Sequence, residues 1–298
     1  MSDTWGDVAP TMTDSWTDLA HCTTSPATSS DEAPEEDARR GVNDVGPRLK
    51  RLRYWKKQPP RLVDAPCARV GLTGGGYRQL LTLGVPIAFL NILLWCELVM
   101  GPSPNDLDCI EYFCGVGTVH SSFREHNYNA VGYDRNHGAL QDINTPAGFL
   151  TALQWARRLK PGTGFSHWAP VCSSWIWISR GSSGRTATGD LHGNCENSSV
   201  RAGNKMVYRV ALIIMYLVAK QTMWIIEQPS SSVMFDMACL KKLRPWFTTH
   251  TWMGMFGAAT PKPTKLVSGP PWVKHLHRRW NKSIGSLGAQ GQSSDRVP

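Results

Sequence analysis

The sequence predicts an α/β protein whose sheet is doubly wound and mostly parallel, preceded by a disordered tail. Three observations predict this fold. Short apolar runs alternate with helical patterns between residues 106 and 268, the first run leads into a glycine turn, and the second run ends on a carboxylate. Because parallel strands need long crossover connections that are usually helices, this alternation is typical of a parallel sheet.

The first strand, turn and second strand predict a cofactor site. An apolar run over 109–113 leads into Gly115–Gly117, and a second run over 130–133 ends on Asp134. Glycines let the backbone approach a ligand closely, and a carboxylate about 20 residues further on accepts from ribose hydroxyls. Two glycines fall short of the full dinucleotide fingerprint, so we expect a smaller adenosine-containing cofactor without a pyrophosphate.

The remaining elements follow from local patterns. The strand candidates are 109–113, 130–133, 165–170, 223–227 and 263–267. Ala202–Gln221 has one apolar stripe at helical spacing, which predicts a core helix and not a binding surface.

The N-terminal residues 1–45 are rich in Ser, Thr, Pro and carboxylates, which predicts a disordered acidic tail. The first 37 residues hold nine carboxylates and no Lys or Arg, so all 32 basic residues lie beyond them, against 14 acids. A basic body favours a polyanionic partner, with the tail acting either as an internal competitor or as a solubilising segment.

A basic arm and linker follow over 46–78. Seven cations lie between Arg48 and Arg61, together with Tyr54 and Trp55. Such a segment can neutralise phosphates and stack on bases, and it also matches a nuclear localisation signal or a solvated linker. Eight cysteines without a C-x-x-C pair predict reduced thiols, no metal site and an intracellular protein, with the nucleus as an option.

An apolar helical segment is expected over 79–105. Gln79–Cys96 carries no charge and approaches the length that spans a bilayer. Gly84 and Pro86 interrupt it, and Glu97 follows at once. These breaks favour a buried helix that is broken at Pro86 and packed on the sheet, with a membrane anchor as the alternative.

In such sheets the reactive groups collect at the carboxyl ends of the strands. Here Val171 and Cys172 follow one strand, Glu227 ends another, and Lys262 and Lys265 lie at the start of the last. The order of these motifs resembles the cytosine-C5 DNA methyltransferases over roughly residues 106–268.

The resemblance implies a Rossmann-like methyltransferase domain over 106–270, S-adenosylmethionine as cofactor, DNA in preference to RNA as partner, and no metal. It implies the following roles: Phe113, Gly115 and Gly117 in the S-adenosylmethionine loop, Asp134 at the ribose, Asp142 and Ile143 beside the adenine, Cys172 as the nucleophile, Glu227 as the acid at the ring N3, and Lys262 and Lys265 in the substrate-binding segment.

The chemistry fits those residue types. Cytosine C5 is a poor nucleophile, and addition of a thiolate at C6 with protonation at N3 turns the ring into an enamine. The base must also leave the stack to reach a pocket. Arg180 or Arg185 is expected to lower the pKa of Cys172 or to hold a phosphate.

The sequence also departs from the family pattern. Val171 separates Pro170 from Cys172, and no target-recognition region precedes the basic, flexible tail expected over 271–298. A catalytically degenerate homologue that binds nucleic acid through the basic arm therefore stays open. So do a methyltransferase acting on an exocyclic amine and purely structural roles for Cys172 and Glu227.

Overall fold

The computed structural model describes Leu72, residues 74–258 and residues 260–280. The predicted acidic tail, the basic cluster between Arg48 and Arg61, and the last 18 residues lie outside the described residues.

The helices and strands alternate as the sequence predicts. In chain order they are α1 Gly74–Thr82, α2 Ile87–Met100, β1 Cys109–Tyr112, α3 Thr118–Glu125, β2 Ala130–Tyr133, α4 Pro146–Arg158, β3 Phe165–Trp168, α5 Arg180–Ser183, α6 Ser198–Ala219, β4 Met223–Pro229, α7 Ala238–Lys241, β5 Phe247–Trp252 and β6 Pro263–Ser268. Short 3-10 turns lie at Arg135–His137, Ala139–Gln141, Trp177–Ser179, Met234–Asp236, Met253–Phe256 and Pro271–Leu276.

In the described part of the chain, six strands form one sheet in the order β2-β1-β3-β4-β6-β5. Strands β2, β1, β3 and β4 run parallel to one another, and β6 runs antiparallel to both β4 and β5. The prediction of an α/β protein with a mostly parallel sheet is confirmed. The sequence prediction missed β5, because its Thr-rich run FTTHTW offers few apolar positions.

The direction of winding reverses after β2. The chain moves from β1 outward to β2, and then crosses to the other side of β1 to form β3. The connections that leave β1 and β3 therefore diverge and open a crevice between their carboxyl ends. We call this side the carboxyl edge. It carries the loops 113–117, 134–145, 169–197, 230–237 and 253–262.

Aromatic rings fill one face of the sheet. Tyr112 of β1 stacks on Trp168 of β3 with 3.8 Å between ring centroids, and its hydroxyl donates to Ala152 O of α4 at 2.8 Å. The predicted stripe of α6 is buried in this core, including Val207 and Ile214. The prediction of a core helix is thus confirmed, and the helix begins four residues earlier than the pattern indicated.

The opposite face is covered by α3 and by the segment that follows β6. Phe123 of α3 stacks on Phe165 at 5.7 Å, and Val273 and Trp272 pack against Ile225 of β4 and its neighbours. The flexible tail expected from residue 271 is therefore wrong for residues 271–276, because burial of these apolar side chains orders the chain.

The apolar segment folds as the two helices α1 and α2, with the predicted break at Pro86 confirmed. Phe89 of α2 packs on Phe149 of α4, and buried Arg157 of α4 pairs with Glu97 and donates to Gly101 O at 2.8 Å. These contacts pack α2 against α4, whereas the sequence predicted packing of this segment on the sheet.

One described helix, α6, is long and apolar enough to cross a membrane by length and composition alone, and 67% of its apolar window is buried inside the fold. Core helices of soluble proteins share this property, so the observation is weak evidence for a membrane span. At 14 residues, α2 is shorter than the roughly 20 residues that cross a bilayer.

Lys220 predicts a pH dependence of stability. Burial, and then the charge of Arg157, lower the pKa of Lys220 to about 7, while its Nζ donates to Arg157 O. Between about pH 7 and pH 10 the unfolded chain holds a proton that the folded chain has lost, so this group makes the free energy of unfolding rise with pH.

Substitution Lys220→Met should remove that rise. Urea unfolding at about pH 7.5 and about pH 9 should show wild type gaining on the variant by up to about 1.4 kcal/mol per pH unit. Equal pH slopes for the two proteins would contradict a neutral, buried Lys220.

Candidate cofactor and catalytic site

The glycine turn after β1 has a backbone that requires glycine. Gly115 and Gly117 have φ of 54° and 78°, in the left-handed region that side chains disfavour. A Cβ on Gly117 would lie 2.3 Å from Cε1 of His120, whereas one on Gly115 would meet nothing within 4 Å. The turn is thus tightly packed at the Cβ position of Gly117 and open at that of Gly115.

Asp134 ties this turn to the end of β2. Its Oδ2 accepts from Gly115 N at 3.0 Å, and its Oδ1 accepts from Asn136 N at 2.9 Å. A carboxylate has about four lone-pair sites, so each oxygen keeps capacity for another donor. The backbone N–H of Asp134 donates to Gln141 Oε1 at 3.1 Å, which fixes the next loop as well.

A cavity of about 210 Å³ opens at the carboxyl ends of β1, β2 and β3. Its lining includes four residues predicted for the cofactor, namely Phe113, Asp134, Asp142 and Ile143, together with Arg135, Asn136, Gln141, Asn144, Ala169, Val171 and Met206. The structure therefore brings these four predicted residues together, with Gly115 joined to them through Asp134.

Asn144 is a cavity residue that the sequence reasoning missed. Its backbone N–H donates to Asp142 Oδ1 at 2.8 Å, and its own side-chain Oδ1 is buried without a hydrogen-bond partner. A buried acceptor without a donor costs free energy, roughly 1–3 kcal/mol. Asn144 thus brings a buried, unpartnered amide oxygen to this loop, two residues beyond the predicted Asp142.

Arg209 of α6 holds this loop in place. Its Nη1 donates to Ile143 O at 2.6 Å and to Thr145 O at 2.9 Å, and burial lowers the pKa of its guanidinium. Thr145 in turn caps α4 by accepting from Gly148 N at 2.9 Å. In the sequence, Arg209 lies outside the apolar stripe of α6, and nothing in the sequence indicates this contact.

Cys172 lies in the loop after β3, beside cavity residue Val171. Gln228 of β4 donates from Nε2 to Pro170 O at 2.5 Å, and Ser232 donates to Gln228 Oε1 at 3.0 Å. These bonds attach the loop of Cys172 to the end of β4. Gln228 therefore positions the loop of Cys172, a function that was not predicted from the sequence.

Cys172 differs from the other described cysteines in its exposure. It is partly exposed, whereas the remaining five in the described ranges are buried. Burial raises the pKa of Cys114 to about 11 and of Cys109 and Cys239 to about 12, which keeps these thiols protonated at neutral pH. Cys172 is therefore the described thiol best placed to react with a ligand at the carboxyl edge.

Glu227 lies near the carboxyl end of β4, at the same edge. Its Oε1 accepts from Lys262 Nζ at 2.8 Å, and the strand register aligns Ile226 with Trp168, which places Glu227 on the strand next to the loop of Cys172. Lys262 has a φ of 24°, a strained value for a side-chain-bearing residue. Lys265 lies elsewhere, with its Nζ 5.1 Å from the ring centroid of Phe235.

Arg185 is placed differently from the expectation. The side chain is only 1% exposed, and its guanidinium stacks on Trp175 at 3.4 Å from the ring centroid. It donates to Leu191 O at 2.5 Å, Asn204 Oδ1 at 2.8 Å and Val200 O at 3.1 Å. Because its N–H groups bond to other parts of the protein, Arg185 holds the loop together. The predicted phosphate contact does not fit this buried position. Arg180 is exposed, as such a contact requires.

Comparisons of the chain with models of protein families, with curated proteins and with solved structures found no match. The residues at the carboxyl edge are therefore the basis for a functional assignment. They comprise a polar cavity, a partly exposed thiol beside it, and a carboxylate paired with a lysine.

The Arg185 anchor predicts a large loss of stability in Arg185→Ala. The change removes a buried guanidinium that donates to five acceptors, so we expect a total loss of about 3–5 kcal/mol. Arg180→Ala is the matched control, because it removes an exposed arginine five residues away and should cost at most about 0.5 kcal/mol. Urea unfolding of both variants measures the difference, and similar costs would contradict the anchoring role.

Proposed function

We propose that this chain is an S-adenosylmethionine-dependent methyltransferase with a Rossmann-like, doubly wound fold, and that it acts on cytosine in nucleic acid, DNA in preference to RNA. The observation that carries the proposal is the cavity where the winding reverses between β1 and β3. Nucleotide-like ligands bind at this position in open α/β sheets.

The acceptors around the cavity fit an adenosine. Asp134 retains lone pairs for ribose hydroxyls, while the free lone pairs of Asp142 suit an amine donor such as that of adenine. The open space above Gly115 allows a ligand to approach the backbone. S-adenosylmethionine, when bound there, supplies an electrophilic methyl group.

Cys172 and Glu227 supply the remaining chemistry. In this proposal the Cys172 thiolate adds to cytosine C6, and Glu227 delivers a proton to N3, which makes C5 nucleophilic. Transfer of the C5 proton to water and return of the N3 proton to Glu227 would then break the C6–S bond, release the Cys172 thiolate and restore the ring. Glu227 must carry a proton to act in this way, so its ion pair with Lys262 opens when cytosine binds, which frees the Lys262 ammonium for a neighbouring phosphate.

One observation favours a second candidate. The ion pair of Glu227 with Lys262 engages the proposed acid, and lysines cannot make the bidentate contacts of arginines. A degenerate protein of the same fold that binds nucleic acid through residues of the basic arm would tolerate this arrangement. Its binding would fall steeply with salt and would not depend on S-adenosylmethionine.

Methyl transfer from labelled S-adenosylmethionine tests the proposal. Unmethylated DNA and RNA are each incubated with the full chain, and the labelled nucleoside is identified. We expect 5-methylcytosine from wild type, and at least about a 1,000-fold loss of rate in Cys172→Ser, since the nucleophile is removed.

Cys239→Ser is the matched control, because it changes a buried thiol of α7 and should leave the rate within a few-fold of wild type. Full activity of Cys172→Ser would contradict the covalent mechanism. A folded wild type that transfers no methyl group to either nucleic acid would favour the second candidate.

A further inference from the structure

The carboxyl edge carries an unusual share of exposed apolar side chains. In the part of the chain that the structure describes, twelve large apolar residues are exposed, and six of them lie in loops of this edge. These six are Val116, Leu140, Val171, Trp177, Ile178 and Phe256. Five others lie on α2. Clusters of exposed apolar groups mark interaction sites more often than single ones do.

Trp177 and Ile178 are the most prominent members of the 169–197 loop. Their side chains are 64% and 81% exposed, on the 3-10 turn Trp177–Ser179. Burial of a side chain of this size contributes about 1.5–3 kcal/mol, so the fold forgoes a gain by leaving both outside.

The structure holds these two side chains outward on a fixed support. Trp175, two residues before the tip, is buried under the Arg185 guanidinium, and its carbonyl accepts from Val233 N at 3.0 Å. Ser179, at the end of the turn, donates from its hydroxyl to Ile176 O at 2.8 Å. The tip is thus attached to the fold through Trp175, and its turn is closed by Ser179, which makes its exposure a property of the fold.

Cations accompany the exposed apolar groups. Arg180 follows the tip directly and is exposed. Lys262 directly precedes β6 and pairs with Glu227 of β4, with 47% of its side chain exposed. Arg278 covers the ring of Phe256 at 5.6 Å from the centroid. Aromatic side chains interleaved with cations are the surface that single-stranded nucleic acid requires, because bases stack on the rings while the cations follow the phosphates.

We propose that Trp177, Ile178 and Arg180 form a stacking surface for unpaired bases, so that the acceptor is single-stranded or locally unpaired nucleic acid. The inference rests on the proposed function, in which the carboxyl edge receives a nucleic acid. A duplex presents phosphates and groove edges, which call mainly for cations and hydrogen-bonding groups and offer Trp177 no base face on which to stack. Unstacked bases present apolar faces that match both side chains.

Binding of fluorescent oligonucleotides to the full chain tests this surface. The probes are a labelled single strand, longer than the roughly 4–16 nucleotides that such sites cover, and its duplex. Wild type should prefer the single strand. Trp177→Ala should weaken single-strand binding about 5- to 100-fold, and Trp177→Phe should retain most of it, because a ring remains for stacking.

Trp95→Ala is the matched control, since it removes an exposed tryptophan from α2 and should leave the affinity unchanged. S-adenosylmethionine binding of each variant, measured by calorimetry, should equal that of wild type. Equal or tighter binding of the duplex, or an unchanged affinity in Trp177→Ala, would overturn the stacking surface. So would binding of anionic vesicles through Trp177 in the absence of oligonucleotide binding.

The two proposals can fail separately. In one outcome, wild type binds no S-adenosylmethionine but still prefers single strands, and this preference depends on Trp177. That outcome would overturn the methyltransferase assignment and support the stacking surface. Cofactor binding without that preference would do the reverse.

Discussion

The reversal of winding between β2 and β3 is the constraint on which the rest of this structure depends. It puts β1 in the interior of the parallel part of the sheet and leaves a crevice where the chain departs in opposite directions from β1 and β3. Residues that are far apart in the chain, such as Asp134, Cys172 and Glu227, consequently lie on loops or strand ends at one edge. The stacked rings of Tyr112 and Trp168 hold the two central strands behind that crevice.

Polar side chains then fix the loops at this edge. Asp134 joins the glycine turn to the end of β2, Gln228 attaches the loop of Cys172 to β4, and Arg185 closes the long loop that follows. Each of these groups makes hydrogen bonds to specific partners, and a buried polar group that lost its partners would be costly. Loops held in this way can present Cys172 or Trp177 without relying on an apolar core of their own.

Much of the fold could be predicted from the sequence, because strand runs, the glycine turn and the stripe of α6 are local patterns. Strand β5 was not predicted, because a Thr-rich edge strand has a weak apolar signal. The ordered structure after residue 270 was not predicted either, because it depends on the packing of Val273 and Trp272 against the sheet. For the site, the position of Asp134 followed from the end of the second predicted strand.

The burial of Arg185 did not follow from the sequence, because a guanidinium next to Gly and Ser residues resembles a solvated loop until Trp175 and the carbonyls around it are placed. The same holds for Asn144 and Gln228. Their contacts join segments distant in the chain, or depend on a cavity that exists only in the folded protein.

Calorimetric titration of the full chain with S-adenosylmethionine tests the central claim most directly. Wild type should bind it with micromolar affinity, and Asp134→Ala should weaken binding at least about tenfold, since an acceptor of the ribose is lost. Asp236→Ala, which removes a half-exposed acid paired with Lys241 at 3.6 Å, should bind as wild type does. Absence of binding by the folded wild type, or equal affinity in Asp134→Ala, would contradict the cofactor site.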